Sequence, residues 1–381
     1  MLRKRPAANI EQTDIVPPII QLFLNKQKIS NMYPLLFKPN LHPVVWGGKR
    51  LTKWKELSEN EAGFSPDTPI GESWEVSCVP SSLSVISNGR WKGKTLAEII
   101  EKFPEATLGA GVVERYGKTL PLLVKFIDAE NDLSIQVHPD DEMAKAEHGK
   151  NGKTEMWYII DAKPGAFLYA GFKRKLSPEE YRSMVADGTI CDALARHEVR
   201  KGDVFYLPAG RVHAICSGIL LAEVQQSSDV TYRIFDYNRP GMDGKPRELH
   251  TDLASRALDF EVLDEYRTVY TDESQRANHC IDSPFFNVRV VEIDAPFHRN
   301  LLKYDSFIIT MCLKGDCLLK IRSTRQGVVL REGYSCFIPA SIADYDVIPV
   351  NESTRLLDAF IDNKNRSILS MATRFLHFSD R

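Results

Sequence analysis

Short runs of β-branched and aromatic residues recur along this chain and predict a mainly β structure. The runs are bounded by Gly, Pro, Asn and Asp, which favour turns over strands. Because the runs are short and closely spaced, we expect them to pair as antiparallel sheets. The clearest runs are SWEVSCV, LLVKFIDA, LSIQVHP, EMWYIID, AFLYAGF, DVFYLPA, LLAEVQQ and VTYRIFDYN.

Two segments have the period of an amphipathic helix instead, 94–116 and 177–194. The second opens with Ser177-Pro-Glu-Glu, which combines a cap, a proline in the first turn and two acids at the positive end of the helix dipole. We therefore expect helical insertions between the strands. In the first segment a stripe of apolar residues follows the possible cap Thr95, namely Leu96, Ile99, Ile100 and Phe103.

An internal repeat organises the chain. The sequence VRKGDVFYLPAGRVHAI aligns without a gap with LREGYSCFIPASIADYDV, and Gly202 and Pro208 match Gly333 and Pro339 at the same spacing. A similar strand and turn precedes each copy, EMWYIIDAKPGAFL in the first and SFIITMCLKGDCLL in the second. The repeat predicts two copies of one barrel.

The run LSIQVHP separates polar from apolar side chains. In an extended strand, successive side chains point to opposite faces, so one face would pack against a core while the other lines a cavity. A hydroxyl, an amide and an imidazole in a row suit a cavity better than a face exposed to solvent. The apolar face is Leu133, Ile135 and Val137, and the polar face is Ser134, Gln136 and His138.

Two further segments bring a carboxylate and an imidazole to this cavity. The same alternation puts Lys153, Glu155 and Trp157 on one face of KTEMWY. The segment GDVFYLPAGRVH fits G-x5-P-x-G-x2-H, in which glycine and proline shape a tight connection that directs His213 inward. The resulting nitrogen and oxygen set suits zinc or another borderline divalent ion in a catalytic type of site. Its members are Gln136, His138, Glu155 and His213.

The G-x5-P-x-G-x2-H element resembles the second motif of the cupin superfamily. Gln136-x-His138 and Glu155 stand where the first cupin motif has His-x-His and Glu, and Ser217 replaces the usual final Asn. This resemblance implies a mainly β fold with two cupin-type β-barrels, or jelly rolls, carrying helical insertions.

Five stretches resemble the type I phosphomannose isomerases, in particular their shorter bacterial members. They are GESWEVS, LPLLVKFIDA, QVHPDDEMA, GKTEMWY and PAGRVHAI, and the similarity covers about residues 33–238. The resemblance implies an aldose-ketose isomerase that interconverts mannose 6-phosphate and fructose 6-phosphate. It also implies zinc as the cofactor, with Gln136, His138, Glu155 and His213 as its ligands.

The same resemblance assigns residues around the substrate. Arg233 takes the place of the family's catalytic arginine, near Asp229, and Ser134, Lys125 and Lys153 surround the substrate. Isomerisation moves a proton between C2 and C1 through a cis-enediol(ate), so negative charge on oxygen must be stabilised. Arg233 would stabilise that charge, and the lysines would neutralise the phosphate or steer protons. We therefore assign Arg233 and Lys153 to catalysis, and Ser134, Lys125 and Asp229 to substrate binding.

Several alternatives stay open at this point. The sequence does not identify the base. Arg233 could form a structural ion pair with Asp229 or Asp236, and Glu72 or Glu75 could line the site or pair with basic neighbours. The alternatives to an isomerase are a non-catalytic bicupin that binds a sugar phosphate, and a metal-dependent cupin oxygenase or epimerase.

Composition narrows the class of partner. A formal net charge of -2 without a long basic run argues against nucleic acid or a membrane surface, which leaves a small molecule as the partner. The resemblance implies that this small molecule is a sugar phosphate. Seven cysteines at irregular spacing form neither a disulfide framework nor a CxxC zinc pattern, which fits a reducing cytoplasm. The oligomeric state stays open.

The repeat and the motifs together predict three parts of the chain. Residues 1–31 are a terminal extension, residues 32–270 a catalytic cupin domain, and residues 285–381 a degenerate cupin-like barrel. In the second barrel Asp344 matches His213, and no pair resembling Gln136-x-His138 precedes it. We therefore expect one zinc ion per chain.

Overall fold

The computed structural model describes residues 32–363. The predicted extension 1–31 lies outside the described residues, as does the end of the predicted second barrel, 364–381. The division into the domains 32–270 and 285–381 stays a prediction.

Strands dominate the described part of the chain, so the predicted mainly β fold is confirmed. Every run of residues predicted above to be a strand overlaps one of the observed strands. The strands are β1 (Leu35–Leu36), β2 (Leu41–Gly48), β3 (Ile70–Val76), β4 (Leu122–Ala129), β5 (Ile135–Val137), β6 (Glu155–Ala162), β7 (Phe167–Phe172), β8 (Leu194–Glu198), β9 (Val204–Leu207), β10 (His213–Ile215), β11 (Ile219–Gln226), β12 (Tyr232–Phe235), β13 (Arg276–Asp282), β14 (Asn287–Ile293), β15 (Phe297–Asn300), β16 (Ile308–Lys314), β17 (Cys317–Ile321), β18 (Gly327–Leu330), β19 (Ser335–Ile338), β20 (Asp344–Pro349) and β21 (Thr354–Phe360).

Short α-helices connect and cover the sheets. They are α1 (Arg50–Trp54), α2 (Glu59–Ala62), α3 (Leu96–Lys102), α4 (Pro104–Leu108), α5 (Ala110–Tyr116), α6 (Asp141–His148), α7 (Pro178–Ala186) and α8 (Thr251–Ala257). Among residues 32–363, no helix is long and apolar enough to cross a membrane.

The predicted helical segment 94–116 is divided into three helices. Pro104 begins α4 and cannot donate a backbone hydrogen bond to the preceding turn. Gly109 has φ of 97°, and a Cβ there would collide with the backbone oxygen of Asp305. In the other predicted segment, the Ser177 hydroxyl accepts a hydrogen bond from the Glu180 N–H, and α7 follows.

The strands form four sheets whose strand pairs are antiparallel. In the first half of the chain, a six-stranded sheet, here called the central sheet, has the order β2-β3-β4-β11-β6-β9, and a five-stranded sheet, the cleft sheet, has the order β12-β5-β10-β7-β8. The second half of the chain, together with β1 from the first half, forms another six-stranded sheet (β1-β19-β16-β21-β14-β13), which faces a four-stranded sheet (β15-β20-β17-β18). Two facing pairs of sheets are the arrangement expected of two jelly rolls.

The internal repeat is visible as two equivalent strand pairs. Strands β6 and β9 pair in the first half as β16 and β19 do in the second. The Gly202 N–H donates to the Ile159 carbonyl at 2.9 Å, and the Gly333 N–H donates to the Cys312 carbonyl at 2.9 Å. Both glycines have positive φ, 90° and 79°, which explains why the repeat keeps glycine there.

The central sheet is buried on both faces. Its side chains alternate between the cleft and a hydrophobic core that also contains side chains of the second six-stranded sheet. Phe126 lies in this core, and its ring also packs edge-on against Trp54 of α1 at 4.9 Å between ring centres. The shared core includes Val124, Phe126, Met156 and Val224 from the central sheet, and Val290, Met311 and Leu357 from the other.

Phe126→Ala tests this shared core. Phe126 is fully buried, so truncation leaves a cavity and should lower the free energy of unfolding by about 3–5 kcal/mol. As a control, Leu302→Ala removes an exposed apolar side chain and should change the free energy of unfolding by less than about 0.5 kcal/mol. Denaturant unfolding measures both. Equal, small changes would show that this core contributes little.

Candidate metal centre

Three ligating side chains meet between the central and cleft sheets. His138 follows β5 and His213 begins β10, two strands that pair with His213 opposite Gln136. Glu155 begins β6 in the central sheet, which faces them. One ligating atom from each of His138, Glu155 and His213 lies within 4.8 Å of the others, and all three residues are buried. The strands thus converge on a point that could hold a metal ion.

Both histidines direct Nε2 toward Glu155. The Nδ1 of His138 donates to the Val230 carbonyl at 3.0 Å, and the Nδ1 of His213 donates to the Arg211 carbonyl at 2.8 Å. Their Nε2 atoms lie 3.4 and 3.2 Å from the Glu155 carboxylate oxygens. Burial, with a further contribution from Lys153, lowers the pKa of His138 to about 3, and burial lowers the pKa of His213. Neutral imidazoles with a free Nε2 lone pair are the form that ligates metals.

The charge and hydrogen bonding of the Glu155 carboxylate show whether a metal ion fits this site. Burial raises its pKa, but Lys153 and the two histidines lower it more, so the net pKa is well below the usual range. Within residues 32–363, neither carboxylate oxygen accepts a hydrogen bond although both are buried. The Lys153 ammonium lies 3.2 Å from one oxygen but does not form a hydrogen bond with it, and a divalent cation would bind the carboxylate directly. The residues present therefore fit a divalent metal ion.

Gln136 and Lys153 complete the surroundings of this cluster. The Gln136 Nε2 lies 3.3 Å from the His213 Nε2, so exchanging the amide atoms would present the oxygen as a fourth ligand. The Lys153 ammonium lies 3.1 Å from the His138 Nε2 and 3.2 Å from a Glu155 oxygen. A metal held by these atoms would compete with the ammonium, and Lys153 would have to turn into the cleft that it also lines.

A cleft of about 340 Å³ opens beside the cluster, lined by Gln136, Ser134, Lys125, Lys153, Asp229 and Arg233 among others. The structure thus places every predicted site residue either in the cluster or in the cleft wall.

Leu133 also lines the cleft and packs in a different apolar cluster from Ile135 and Val137. The prediction that these three share one face was wrong for Leu133, because β5 begins only at Ile135.

Lys125 belongs to a buried charge network on the inner cleft wall. Its ammonium lies 3.2 Å from Glu223 and 3.7 Å from Glu72. Burial lowers the pKa of Lys125, but these carboxylates raise it more, so the net shift is upward. Burial raises the pKa of Glu223, which also accepts a hydrogen bond from the Trp157 indole at 3.0 Å. Trp157 in turn packs edge-on against His213 and holds its ring.

Glu223 was not among the site residues predicted from the sequence. The available signal was that it is the one charged residue in the run LLAEVQQ. The structure places it opposite Lys125 in the ladder between β11 and β4. The structure also separates the two acids of GESWE: Glu72 lines the cleft, whereas Glu75 points to the other face and pairs with Lys55 at 2.7 Å.

Arg233 reaches the cleft from β12, where it lies opposite Gln136. Its Nη1 donates to the Glu248 carbonyl at 2.9 Å, and its buried Nε has no hydrogen-bond acceptor among residues 32–363. Asp229 pairs with Lys150 at 2.6 Å, and Asp236 pairs with Arg239 and Arg247. The alternative of a structural ion pair between Arg233 and either aspartate is therefore not what the structure has.

The side chains between the sheets of the second half differ from those around Glu155. Asp344, which matches His213 in the repeat, is partly exposed and pairs with His298 at 2.7 Å. Tyr345 points into the core instead. Between the sheets of the second half, the buried Asp358 carboxylate forms an ion pair with the Arg299 guanidinium at 2.7 Å. The part of the chain that the structure describes contains one group of three potential metal-ligating residues, the one around Glu155.

Comparisons with known proteins point to one family. Residues 35–164 match the family model of the phosphomannose isomerase type I catalytic domain, and residues 276–349 match that of the mannose-6-phosphate isomerase cupin domain. The chain is 40% identical over 314 residues to the mannose-6-phosphate isomerase of Streptococcus mutans, covering 82% of this chain and 94% of that protein. It is 39% identical over 287 residues to mannose-6-phosphate isomerase ManA of Bacillus subtilis, covering 74% and 86%.

A solved structure agrees with these matches. The crystal structure of the mannose 6-phosphate isomerase from Bacillus subtilis superimposes with a TM-score of 0.75 at 32% identity, covering 86% of this chain and 99% of that one. The similarity therefore extends over both pairs of sheets.

His213→Ala tests the metal centre. The variant removes one of the two imidazole ligands, so we expect metal content to fall from about one equivalent per chain to near zero after dialysis. Asp344→Ala changes the matching position of the repeat and should keep the metal. Elemental analysis of both purified proteins measures this. Two equivalents in the wild type, or a metal-bound His213→Ala protein, would contradict the assignment.

Proposed function

Because the chain belongs to the type I phosphomannose isomerase family, we propose that it interconverts mannose 6-phosphate and fructose 6-phosphate. The observation that carries the proposal is the buried group of His138, Glu155 and His213 at the inner end of a cleft lined by Arg233. The cleft is large enough for a small polar substrate and contains charged groups of both signs, as a sugar phosphate requires. We also propose a cytoplasmic location, in keeping with seven free cysteines.

We propose zinc as the metal, with His138, Glu155, His213 and Gln136 as its ligands. Two imidazoles, a carboxylate and an amide oxygen are a mixed nitrogen and oxygen set that zinc accepts. When bound, the ion would act as a Lewis acid on substrate oxygens. The carbonyl groups of Val230 and Arg211 fix the two imidazoles in the ligating tautomer.

The remaining residues would handle charge and protons along a cis-enediol(ate) route. Arg233 lies next to Gln136 across the β12–β5 ladder, so its guanidinium can stabilise negative charge that develops on the substrate oxygens. Lys153 lies between the ligand cluster and the cleft, so its ammonium can give a proton to a substrate oxygen, and the amine that remains can take a proton back. Lys125, Ser134 and Asp229 line the wall and would position the sugar.

A coupled assay tests the reaction. Purified protein should convert mannose 6-phosphate to fructose 6-phosphate, lose this activity on treatment with a chelator, and regain it with one equivalent of zinc. The matched control is the chelated protein with magnesium added, since Mg²⁺ prefers oxygen ligands. Binding of the sugar phosphate without turnover, after zinc is restored, would favour the non-catalytic bicupin instead.

Arg233→Ala separates charge stabilisation from binding. If the guanidinium acts mainly on the enediolate, kcat should fall about 100-fold or more while KM changes only a few-fold. Arg233→Lys keeps the positive charge without the planar guanidinium, so its kcat should lie between those of the wild type and Arg233→Ala. Steady-state kinetics measures both constants. A defect found entirely in KM would make Arg233 a binding residue.

A further inference from the structure

Residues 149–154 connect α6 to β6 without regular secondary structure, and this connection carries two groups to the metal centre. Lys153 lies within it, and Glu155 follows it directly. Gly152, Lys153 and Thr154 are buried, so their backbone N–H groups need acceptors that neither a helix nor a sheet provides. The placement of the ammonium and of the carboxylate therefore depends on what accepts those N–H groups.

Gln226, the last residue of β11, supplies one of these acceptors. Its Oε1 accepts the Thr154 N–H at 2.8 Å, and its own N–H donates to the Thr154 carbonyl at 3.0 Å. Its Nε2 donates to Oδ1 of Asp141 at 3.0 Å, and the same oxygen accepts the Gly152 N–H at 2.8 Å. A carboxylate only accepts, so the Gln226 amide has one satisfactory orientation. Gln226 is buried and lies outside the cleft wall.

Asp141 joins this amide to the segment of the first metal ligand. It begins α6, three residues after His138. The Pro139 carbonyl, between the two, accepts the Lys153 N–H at 3.1 Å. A Cβ at Gly152 would lie 2.5 Å from the backbone nitrogen of Asp141, so the two segments touch along their backbones.

Thr154 joins the same cluster to the segment of the third ligand. Its Oγ1 accepts the Ala209 N–H at 3.3 Å, and the next residue, Gly210, donates its N–H to the His138 carbonyl at 2.9 Å. Both belong to the turn that precedes His213. The three ligand-bearing segments therefore meet at one hydrogen-bonded junction.

We propose that Gln226 is a positioning residue for the metal centre. By accepting the Thr154 N–H and donating to Asp141, its amide fixes the conformation of residues 149–154, and with it the two side chains that this connection carries. The inference rests on the proposed function, in which zinc and Lys153 act on the substrate. Gln226 acts through its neighbours, as the partners that orient metal ligands do.

Gln226→Met and Asn278→Leu form a matched pair, because each removes a buried amide that binds the backbone of an irregular segment. Asn278, on β13, accepts the Glu273 N–H at 3.2 Å and donates to the Glu273 carbonyl at 2.8 Å. Both variants should lower Tm, since each leaves backbone groups unsatisfied. Competition with a chromophoric chelator should show about 10-fold or more weaker zinc binding in Gln226→Met and a change within about twofold in Asn278→Leu. With zinc saturating, kcat on mannose 6-phosphate should fall about 10-fold in Gln226→Met alone.

Hydrogen exchange adds a measurement that needs neither metal nor turnover. In metal-free Gln226→Met, the peptide spanning residues 149–155 should exchange faster than in the wild type, because the Thr154 N–H has lost its acceptor. In Asn278→Leu the same peptide should exchange at the wild-type rate.

A charge swap tests the contact between Gln226 and Asp141 directly. Gln226→Glu keeps an acceptor for the Thr154 N–H but places a second carboxylate beside Asp141, so zinc binding should weaken. Adding Asp141→Asn removes the like charge and returns a donor to the pair, so the double variant should bind zinc more tightly than Gln226→Glu does. A double variant no better than the single one would contradict the contact.

Unchanged exchange or unchanged zinc affinity in Gln226→Met would overturn the inference, and isomerisation by the wild type would then leave the proposed reaction intact. An equal loss of zinc affinity in Asn278→Leu would overturn it too, because lower stability alone would explain the effect. If the variants behave as expected but the zinc-loaded wild type does not isomerise mannose 6-phosphate, the positioning role stands and the proposed reaction fails.

Discussion

The central sheet has to satisfy two environments at once, and the rest of the structure depends on this constraint. Every residue of β4 and β11 is buried, so neither face of these strands can rely on water. One face meets the constraint with apolar side chains such as Val124 and Val224 against the second six-stranded sheet. The other face carries Lys125 and Glu223, which must therefore satisfy each other. The alternation of strand side chains thus produces a hydrophobic join and a charged cleft wall from the same residues.

Buried charge then shapes the cleft. Each ionised group on the inner wall needs a partner of opposite sign, and the network of Lys125, Glu72 and Glu223 provides it locally. Glu155 is the exception, because Lys153 is close while its oxygens accept no hydrogen bonds among the described residues. A cation held with the two histidines would complete this balance. The desolvation cost that the ion pairs of the network offset is thus the same cost that favours metal binding at Glu155.

The two halves show how one scaffold supports different interiors. The glycine turn and the paired strands recur, since both depend on backbone geometry. The interiors differ because the side chains that point inward differ. Around Glu155 they are imidazoles, whereas in the second half Arg299 and Asp358 form a closed ion pair and Asp344 pairs with His298 outside. The Asp358 carboxylate already accepts hydrogen bonds from Arg299 and Thr310, and no imidazole lies with it in a group of three potential ligands among the described residues, which fits a structural role for the second half.

The strands, the repeat and the grouping of His138, Glu155 and His213 could all be predicted from the sequence. These follow from local rules: alternation along a strand, the glycine required at a positive φ, and the shape of the turn before His213. Only the tertiary structure decided that Leu133 faces the cleft, that Glu223 joins Lys125, that Asp229 pairs with Lys150 and that Asp344 points outward. The physical reason is that each of these outcomes depends on where a strand begins or on which distant side chain lies nearby. Neither is fixed by the neighbouring residues in sequence.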